Sequence, residues 1–401
     1  MKPPEKRPPT TTTTAAAAAA AAAVVVPAMP EFRDWSGLPE LPLSEVLRHL
    51  LPCLRSVYAF AAVCRPWRRT VRPSAAIVLR PGVPPLLLDP RSRGVSAFSD
   101  LVLAQPLAYQ ADLLAEGAIL MSASRGRLLL RRRGPAGGEA SIIIIDALTG
   151  GERRELTLPS PRFTYHYAAL LPNHLLVFHS KHAFFSLPFP DPNPNPPSSS
   201  YPNWTKHSLP RSASFVTGVV EFRGRVLGLT DRAQLLEFRL GASPQGHTVQ
   251  VLPADGLPDA TTFDRWRFGP RLAAAGDRLL LVLFMLQPKW TTFYIQQKRR
   301  VKKVAVYGLD FARMRWEEVE NIGAYSLFVD CAGNSAAACI DVGSCGVEEN
   351  RVYVAAPGCR WRSFPPGWEE SPGDANNGLF RSVRHRQLWP SLTWVYPPLF
   401  Y

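Results

Sequence analysis

In LSEVLRHLLPCL the apolar side chains Leu43, Val46, Leu47, Leu50, Leu51 and Leu54 recur at spacings of three and four, one stripe of a helix. Pro42 suits the start of that helix, and Pro52 marks its end or a kink. In SVYAFAAVCRPWRRTV the spacing continues through Phe60, Val63, Cys64 and Trp67, with Ser56 as N-cap, so a second helix is expected there. Two or three short helices in about forty residues enclose very little core. Such a unit is expected to borrow burial from a partner chain.

From about residue 76 the period shortens to that of strands. Runs such as ILMSAS, RLLLRR, SIIIID, HLLVF, AFFSL, RVLGLT, LLEFRL, LLLVLFML, VAVYGLD, SLFVD and RVYVAA are separated by turn signals, among them LTGGE, FRGR, AAGDR and EEN. Roughly sixteen such runs at intervals of about eight to fifteen residues predict an all-β domain of antiparallel hairpins, and about six four-stranded propeller blades would use that length. A blurred repeat, Gly followed by an apolar run, recurs in EFRGRVLGLT and AAGDRLLLVLF. The 40 prolines along the 401 residues favour many short elements.

Residues 1–30, with their threonine and alanine runs, form no amphipathic face and are expected to be a disordered tail. Organelle targeting is the weaker alternative, since Glu5, early prolines and few arginines spoil a presequence. The predicted organisation is a tail at 1–30, a helical unit at 31–75 and the β domain at 76–401. Pro/Asn/Ser-rich 186–202 reads as a long surface loop, and the sequon Asn203-Trp204-Thr205 as coincidence. No apolar run reaches the ~18 residues of a membrane helix, so no membrane partner is expected.

Charge changes this picture little. The formal net charge of +14 comes from scattered arginines, which aid solubility without defining a partner. The one basic run, Lys298, Arg299, Arg300, Lys302 and Lys303, is either an import signal or a solvated hairpin loop between two apolar strands. No nucleic-acid-binding motif surrounds it, and nucleic acid is not an expected partner. In Cys64–Arg72, Arg65, Arg68 and Arg69 flank the apolar stripe, where arginine stems cover apolar neighbours while the charge stays in water.

Candidate chemistry is sparse. Cys331, Cys339 and Cys345 lack the paired spacing of a zinc site, and His166, His174, His179 and His182 read as ordinary strand histidines. No metal, cofactor or catalytic residue is expected, because no nucleophile elbow, phosphate loop, zinc-protease helix or dinucleotide fingerprint is present. Trp266, Trp290 and Trp316 either line a ligand pocket or pack between blades, the commoner role.

WSGLPELPLSEVLRHLLPCL followed by AFAAVCRPWRRTV resembles an F-box: an opening tryptophan, a Leu-Pro pair, helical leucines and a Cys–basic–x–Trp–Arg ending. It departs where an acidic residue and a leucine usually follow the Leu-Pro pair, since Leu41-Pro42 stands there. Residues 219–238, 271–285, 306–337, 349–357 and 388–398 resemble the large plant family of F-box proteins with a KIB-type β-propeller, on Asp310, Trp316, Gly323, Leu327, Phe328, Asn350 and Tyr353. The expected fold is thus a small all-α F-box unit, then an all-β, kelch-like propeller.

The resemblance implies a non-enzymatic substrate receptor of a Skp–cullin–F-box ubiquitin ligase, in the nucleus or cytoplasm. The F-box would dock on a Skp-type adaptor, and through it a cullin; the propeller would present a target protein. Adaptor contact is assigned to Leu38, Pro39, Leu43, Val46, Leu47 and Leu50, with Val63, Cys64 and Trp67 closing the surface. Each of these, Trp67 above all, has core packing as its other reading. The alternatives are a propeller interaction protein outside any ligase and an organelle-targeted, ligand-binding propeller.

Overall fold

The computed structural model describes residues 35–50, 54–74, 84–89, 96–99, 106–109, 118–134, 138–147, 153–161, 163–189, 203–241, 246–287, 301–331, 335–339, 342, 347–356, 359–371, 380 and 393–396. The predicted tail, the loop at 190–202, Trp290, Lys298, Arg299, Arg300 and Cys345 lie outside them. The chain divides into Met1–Leu38 and Pro39–Tyr401. In the first, Trp35–Gly37 form a short 3-10 turn.

The second begins with helices α1 (Glu40–Leu50), α2 (Leu54–Val63) and α3 (Arg65–Ser74), each in contact with the other two. The single helix expected from Ser56 to Val71 is therefore two. Pro66 has no N–H to donate to the preceding turn, so the helix ends at Val63 and a new one starts at Arg65. Ser56 consequently sits inside α2 and caps nothing. The break turns Trp67 back onto Phe60, ring centroids 4.4 Å apart, while Arg68 Nε donates to the Ala61 carbonyl near the end of α2 at 3.1 Å.

The remainder is β structure in six sheets among the described residues. Five lie wholly within 119–369: blade II (119–157), blade III (167–208), blade IV (216–251), blade V (271–318, joined at its edge by Trp368–Glu369) and blade VI (326–364). Blade I combines Leu86–Asp89, Ser96–Ser99 and Pro106–Tyr109 with Thr393–Val395, which pairs with Leu86–Leu88. The innermost strands touch in the order of the blades, and Thr393–Val395 contacts blades VI and II, so the ring is closed. This is a β-propeller.

The central strands are apolar throughout because both faces are buried. In RLLLVLFML, Leu279, Leu281 and Leu283 pack against Leu227 and Leu229 of blade IV. The alternate residues Leu280, Val282 and Phe284 pack against Leu327 and Val329 of blade VI. Two first hairpins share an Arg-Gly turn, Arg125-Gly126 and Arg223-Gly224, in which both residues have positive φ (48° and 71°, 49° and 72°). That type I′ geometry matches the strand twist, and in AAGDR the corresponding turn has positive φ at Gly276 (59°).

Blade VI departs from the simple meander. Ser326–Asp330 is its second strand, Ala336–Cys339 returns to the innermost position, and the chain then crosses to Arg351–Ala356, which runs parallel to Ser326–Asp330. The family-motif residues build this blade, the turn before it and the outer hairpin of blade V. Asp310 Oδ1 accepts from the Ala312 and Arg313 amides at 2.8 and 3.2 Å, and Asn350 Oδ1 accepts from the Ile322 amide at 2.9 Å. Phe328 stacks on Tyr353 at 4.9 Å, and Trp316 is buried.

Asp330 fastens the ring. Its Oδ2 accepts from Thr393 Oγ1 at 2.5 Å, from the Trp394 amide at 3.2 Å and from Ser335 Oγ. Trp394 Nε1 adds a bond to the Val329 carbonyl at 3.0 Å. Arg271, buried beside it, donates through Nε to the Asp330 carbonyl at 2.9 Å.

Candidate functional surfaces

The helical stripe divides in three dimensions. Leu43 and Leu47 are 2% and 1% exposed and, with Val57, Phe60 and Val71, form the interior of the three-helix unit. Val46 at 43% and Val63 at 58% face solvent, as does Leu41 at 84%, the residue at which the sequence departs from the F-box pattern. Pro39 is exposed and Leu50, Cys64 and Trp67 are half-buried; Leu38, in the preceding unit, is half-buried too. Arg65, Arg68 and Arg69 are exposed, as the flanking positions require. An α-helix spaced at three and four carries both an inner and an outer apolar edge, and the burial separates them.

Among the described residues, a small cavity lies where five blades meet. Ser124, Tyr167, Gly218, Arg271 and Ser335, from five blades, line a cavity of about 50 Å³. At about 10–15 Å³ per water that holds a few waters, whereas ligand sites run to hundreds of Å³. Ser122 and Ser124 hydroxyls donate to the carbonyls of Ala168 and Leu170, tying blade II to blade III. A shallow hollow of about 500 Å³ lies beside Gly256, Tyr307 and Glu318, with Trp316 packed behind it.

One face of the ring carries the unusual side chains. Because the strands alternate in direction, residues just before each innermost strand share a face with the turns between second and third strands. There Trp266 is 64% exposed and Phe163 is 37% exposed. Phe163 stacks on His179 at 4.3 Å, His166 meets Phe215 edge-on at 5.4 Å, and Phe215 meets Trp266 at 6.0 Å, across blades III to V. His166 Nε2 is 3.0 Å from the Val216 carbonyl, and burial pushes its pKa down to about 4, so the imidazole is neutral at pH 7.

The loop bearing Trp266 is tightly held. Asp264 Oδ1 accepts from the Trp266 and Arg267 amides, both at 2.9 Å. Arg265 pairs with Asp231, whose side chain is fully buried and whose Oδ1 accepts from the Phe215 amide at 3.1 Å. The Arg265 guanidinium lies 5.0 Å over the Trp266 ring. Among the tryptophans named from the sequence, Trp316 is a packing residue and Trp266 is a presented one.

The sequence grouped His166, His174, His179 and His182; the fold instead brings His174 and His207 onto His247, at centroid distances of 5.3 and 4.6 Å. His207 and His247 escaped notice because the strand pairing that gathers them is non-local. Burial is the first cause lowering the pKa values of His174 and His207, and mutual repulsion adds to it. No group of three or more His, Cys, Asp or Glu among the described residues is placed to hold a metal ion. Cys331 is buried, and desolvation pushes its thiol up to about 12, far from a reactive thiolate.

The basic run is part strand: Lys302 and Lys303 lie in Val301–Asp310, antiparallel to Arg278–Leu286. Lys303 Nζ is 2.8 Å from Glu318 and 3.5 Å from Glu369, so its charge is locally paired.

The sequence matches the KIB1-4 beta-propeller family over residues 105–381. No curated protein matches it. Among solved structures it is similar to an S. cerevisiae complex of Dbp5 bound to Nup159 and Gle1, at 13% identity and a TM-score of 0.30, covering 58% of this chain and 57% of that one. It is also similar to the Myceliophteria thermophila Cps50 (Swd1) β-propeller domain, at 10% identity and a TM-score of 0.30, covering 57% and 91%. The chain thus spans little more than half of the first of these.

Proposed function

Because the chain belongs to the KIB1-4 beta-propeller family, we propose that it is the substrate-recognition subunit of a Skp–cullin–F-box ubiquitin ligase. The helical unit, read as an F-box, docks on a Skp-type adaptor and through it on a cullin. The propeller binds the target protein, and the chain itself supplies no catalytic group. Its place of action is the nucleus or cytoplasm.

The observation that carries this reading is the outer apolar edge of the helices. Val46 and Val63 stand 43% and 58% exposed on a unit whose inner edge is already full. Exposed apolar side chains on a small helical unit are what a helix-packing partner covers.

The test is co-purification of the full chain with a Skp-type adaptor. Wild type is expected to retain the adaptor, and Val46→Asp with Val63→Asp to lose at least tenfold in affinity with unchanged circular dichroism. An adaptor not retained by wild type, or held equally by the double variant, defeats the reading. Leu41, standing where the F-box pattern has an acid, favours a second reading in which the propeller works outside any ligase. Loss of adaptor binding by wild type is the outcome that reading requires.

A further inference from the structure

We infer that α3 gives the helical unit a charged contact: the exposed row of Arg65, Arg68 and Arg69 faces carboxylates on the protein that covers Val63. The inference rests on the helical unit being a docking module, and it adds the chemistry of the partner's surface to that reading.

Arg65, Arg68 and Arg69 stand at i, i+3 and i+4 of α3 and are all exposed, while Thr70 and Val71 are buried. Arg72 continues the row in sequence at i+7, so the row runs over about 10 Å of helix axis. From Leu54 to Ser74 there are five arginines and no acid. The acids of the three helices are Glu40 and Glu45, both on α1. Among the described residues, the ion pairs of these helices are Arg48–Glu45 at 2.8 Å and His49–Glu45 at 3.4 Å, and neither reaches α3. Arg68 is partly engaged, its Nε donating to the Ala61 carbonyl. The row is therefore a cation excess with no internal counter-charge.

This arrangement works against the helix that holds it. Like charges at i+3 and i+4 repel, and cations in the first turn oppose the dipole, whose positive end lies at Arg65. An acid would suit that turn, and none is there. Carboxylates of another chain would relieve the repulsion, and the dipole would then add to the attraction.

Val63, 58% exposed, stands two residues before Arg65, so an apolar side chain and the charged row meet at the turn between α2 and α3. Apolar contact beside complementary charge is what a protein partner offers. A nucleic acid needs many phosphate contacts and an aromatic to stack on, whereas Trp67 is engaged by Phe60 at 4.4 Å. A membrane surface needs exposed apolar side chains along the helix, whereas the described exposed residues of α3 are Pro66 and the three arginines.

The test is the association kinetics of the full chain with a Skp-type adaptor at low and high salt. Wild type is expected to associate about tenfold faster at low salt. Arg65→Glu with Arg69→Glu is expected to slow association about tenfold at low salt and to flatten the salt dependence, with dissociation changed by less than about twofold. Arg65→Lys with Arg69→Lys keeps the charge and is expected to associate as wild type does. Arg153→Glu with Arg313→Glu makes the same change of net charge at exposed propeller positions and is expected to stay within about twofold. The Arg65→Glu, Arg69→Glu chain is expected to melt at or above the wild-type temperature; a lower one overturns the inference by giving the row a role in the fold. Association of that chain within about twofold of wild type overturns it too, and leaves the ligase reading standing. A wild type that binds no adaptor defeats the ligase reading and this inference with it. Tighter binding of a labelled oligouridylate, or of phosphatidylserine vesicles, than of the adaptor overturns it in favour of a nucleic-acid or membrane surface.

Discussion

Replacing Asp330 by alanine should open the propeller ring. The carboxylate receives Thr393 Oγ1, the Trp394 amide and Ser335 Oγ, and stands at a site buried to 1% exposure. Truncation leaves the Trp394 amide and the Thr393 hydroxyl without that acceptor and removes a negative charge near the buried Arg271. Hydrogen bonds to charged groups contribute about 1.5–3 kcal/mol each, and deleting one partner from a buried charged network costs about 3–5 kcal/mol; non-additivity favours the second figure. With an unfolding entropy of about 2.1 cal/mol/K per residue over roughly 310 residues, that loss lowers the melting temperature by about 5–8 K. Thr393→Val removes a single donor and should cost about 1–2 kcal/mol, under half as much. Scanning calorimetry of the full chain, with hydrogen exchange read at Thr393–Val395, measures both. A shift below 2 K for Asp330→Ala, or unchanged exchange in that strand, would refute the latch.

Gly256→Ala should destabilise by more than about 2 kcal/mol, because φ is +92° and the added Cβ would sit 2.2 Å from the Trp316 carbonyl oxygen. A melting temperature within 1 K of wild type would contradict this. His166 makes stability depend on pH. Its folded pKa of about 4 lies below the usual 6.5, so the unfolded chain takes up the proton first. The contribution is complete above about pH 6.5 and is lost as pH falls towards about 4, by an order of 2–3 kcal/mol. His166→Gln should flatten part of that acid limb, the remainder belonging to His174, His179 and His207, whose pKa values are also lowered. An acid limb as steep as in wild type would rule the assignment out. Glu237, buried and accepting from Arg225 and Gln250 at 2.7 Å each, is held below the usual carboxylate range chiefly by the Arg225 bond. Glu237→Ala should cost about 2–4 kcal/mol, read as a lowered urea midpoint with an unchanged slope.

What the sequence revealed of the fold followed burial. Strands buried on both faces, such as SIIIID and RLLLVLFML, are continuous apolar runs and were plain. The innermost strands Tyr167–Leu170, Arg271–Ala275 and Ala336–Cys339 escaped because they read YAAL, RLAAA and AAAC. Alanine fits where strands converge on the axis, yet it has little strand propensity. Outer strands such as Thr205–Ser208 are polar edges without a strong period. The helical stripe was visible, but dividing it into inner Leu43 and Leu47 and outer Val46 and Val63 required knowing where α3 lies, since Pro66 folds it back. Asp330 and Thr393 are 63 residues apart, so no local pattern joins them. Trp266 was noticed as an aromatic, while its exposure depends on Asp231, brought from 34 residues away.

The closing strand also orders events during synthesis. Leu86–Leu88 must wait for Thr393–Val395 before blade I is complete, a delay of roughly 300 residues, or about 15–60 s at ribosomal speeds of about 5–20 residues/s. The three helices emerge before the propeller and hold their own interior, so the helical unit can mature while the ring is still a growing row of sheets. Until the last strand arrives, the unpaired edge of Leu86–Asp89 is a template for other chains. A nascent chain stalled in that interval would be a ready client for chaperones, and an early stop codon would damage the first blade sooner than the last.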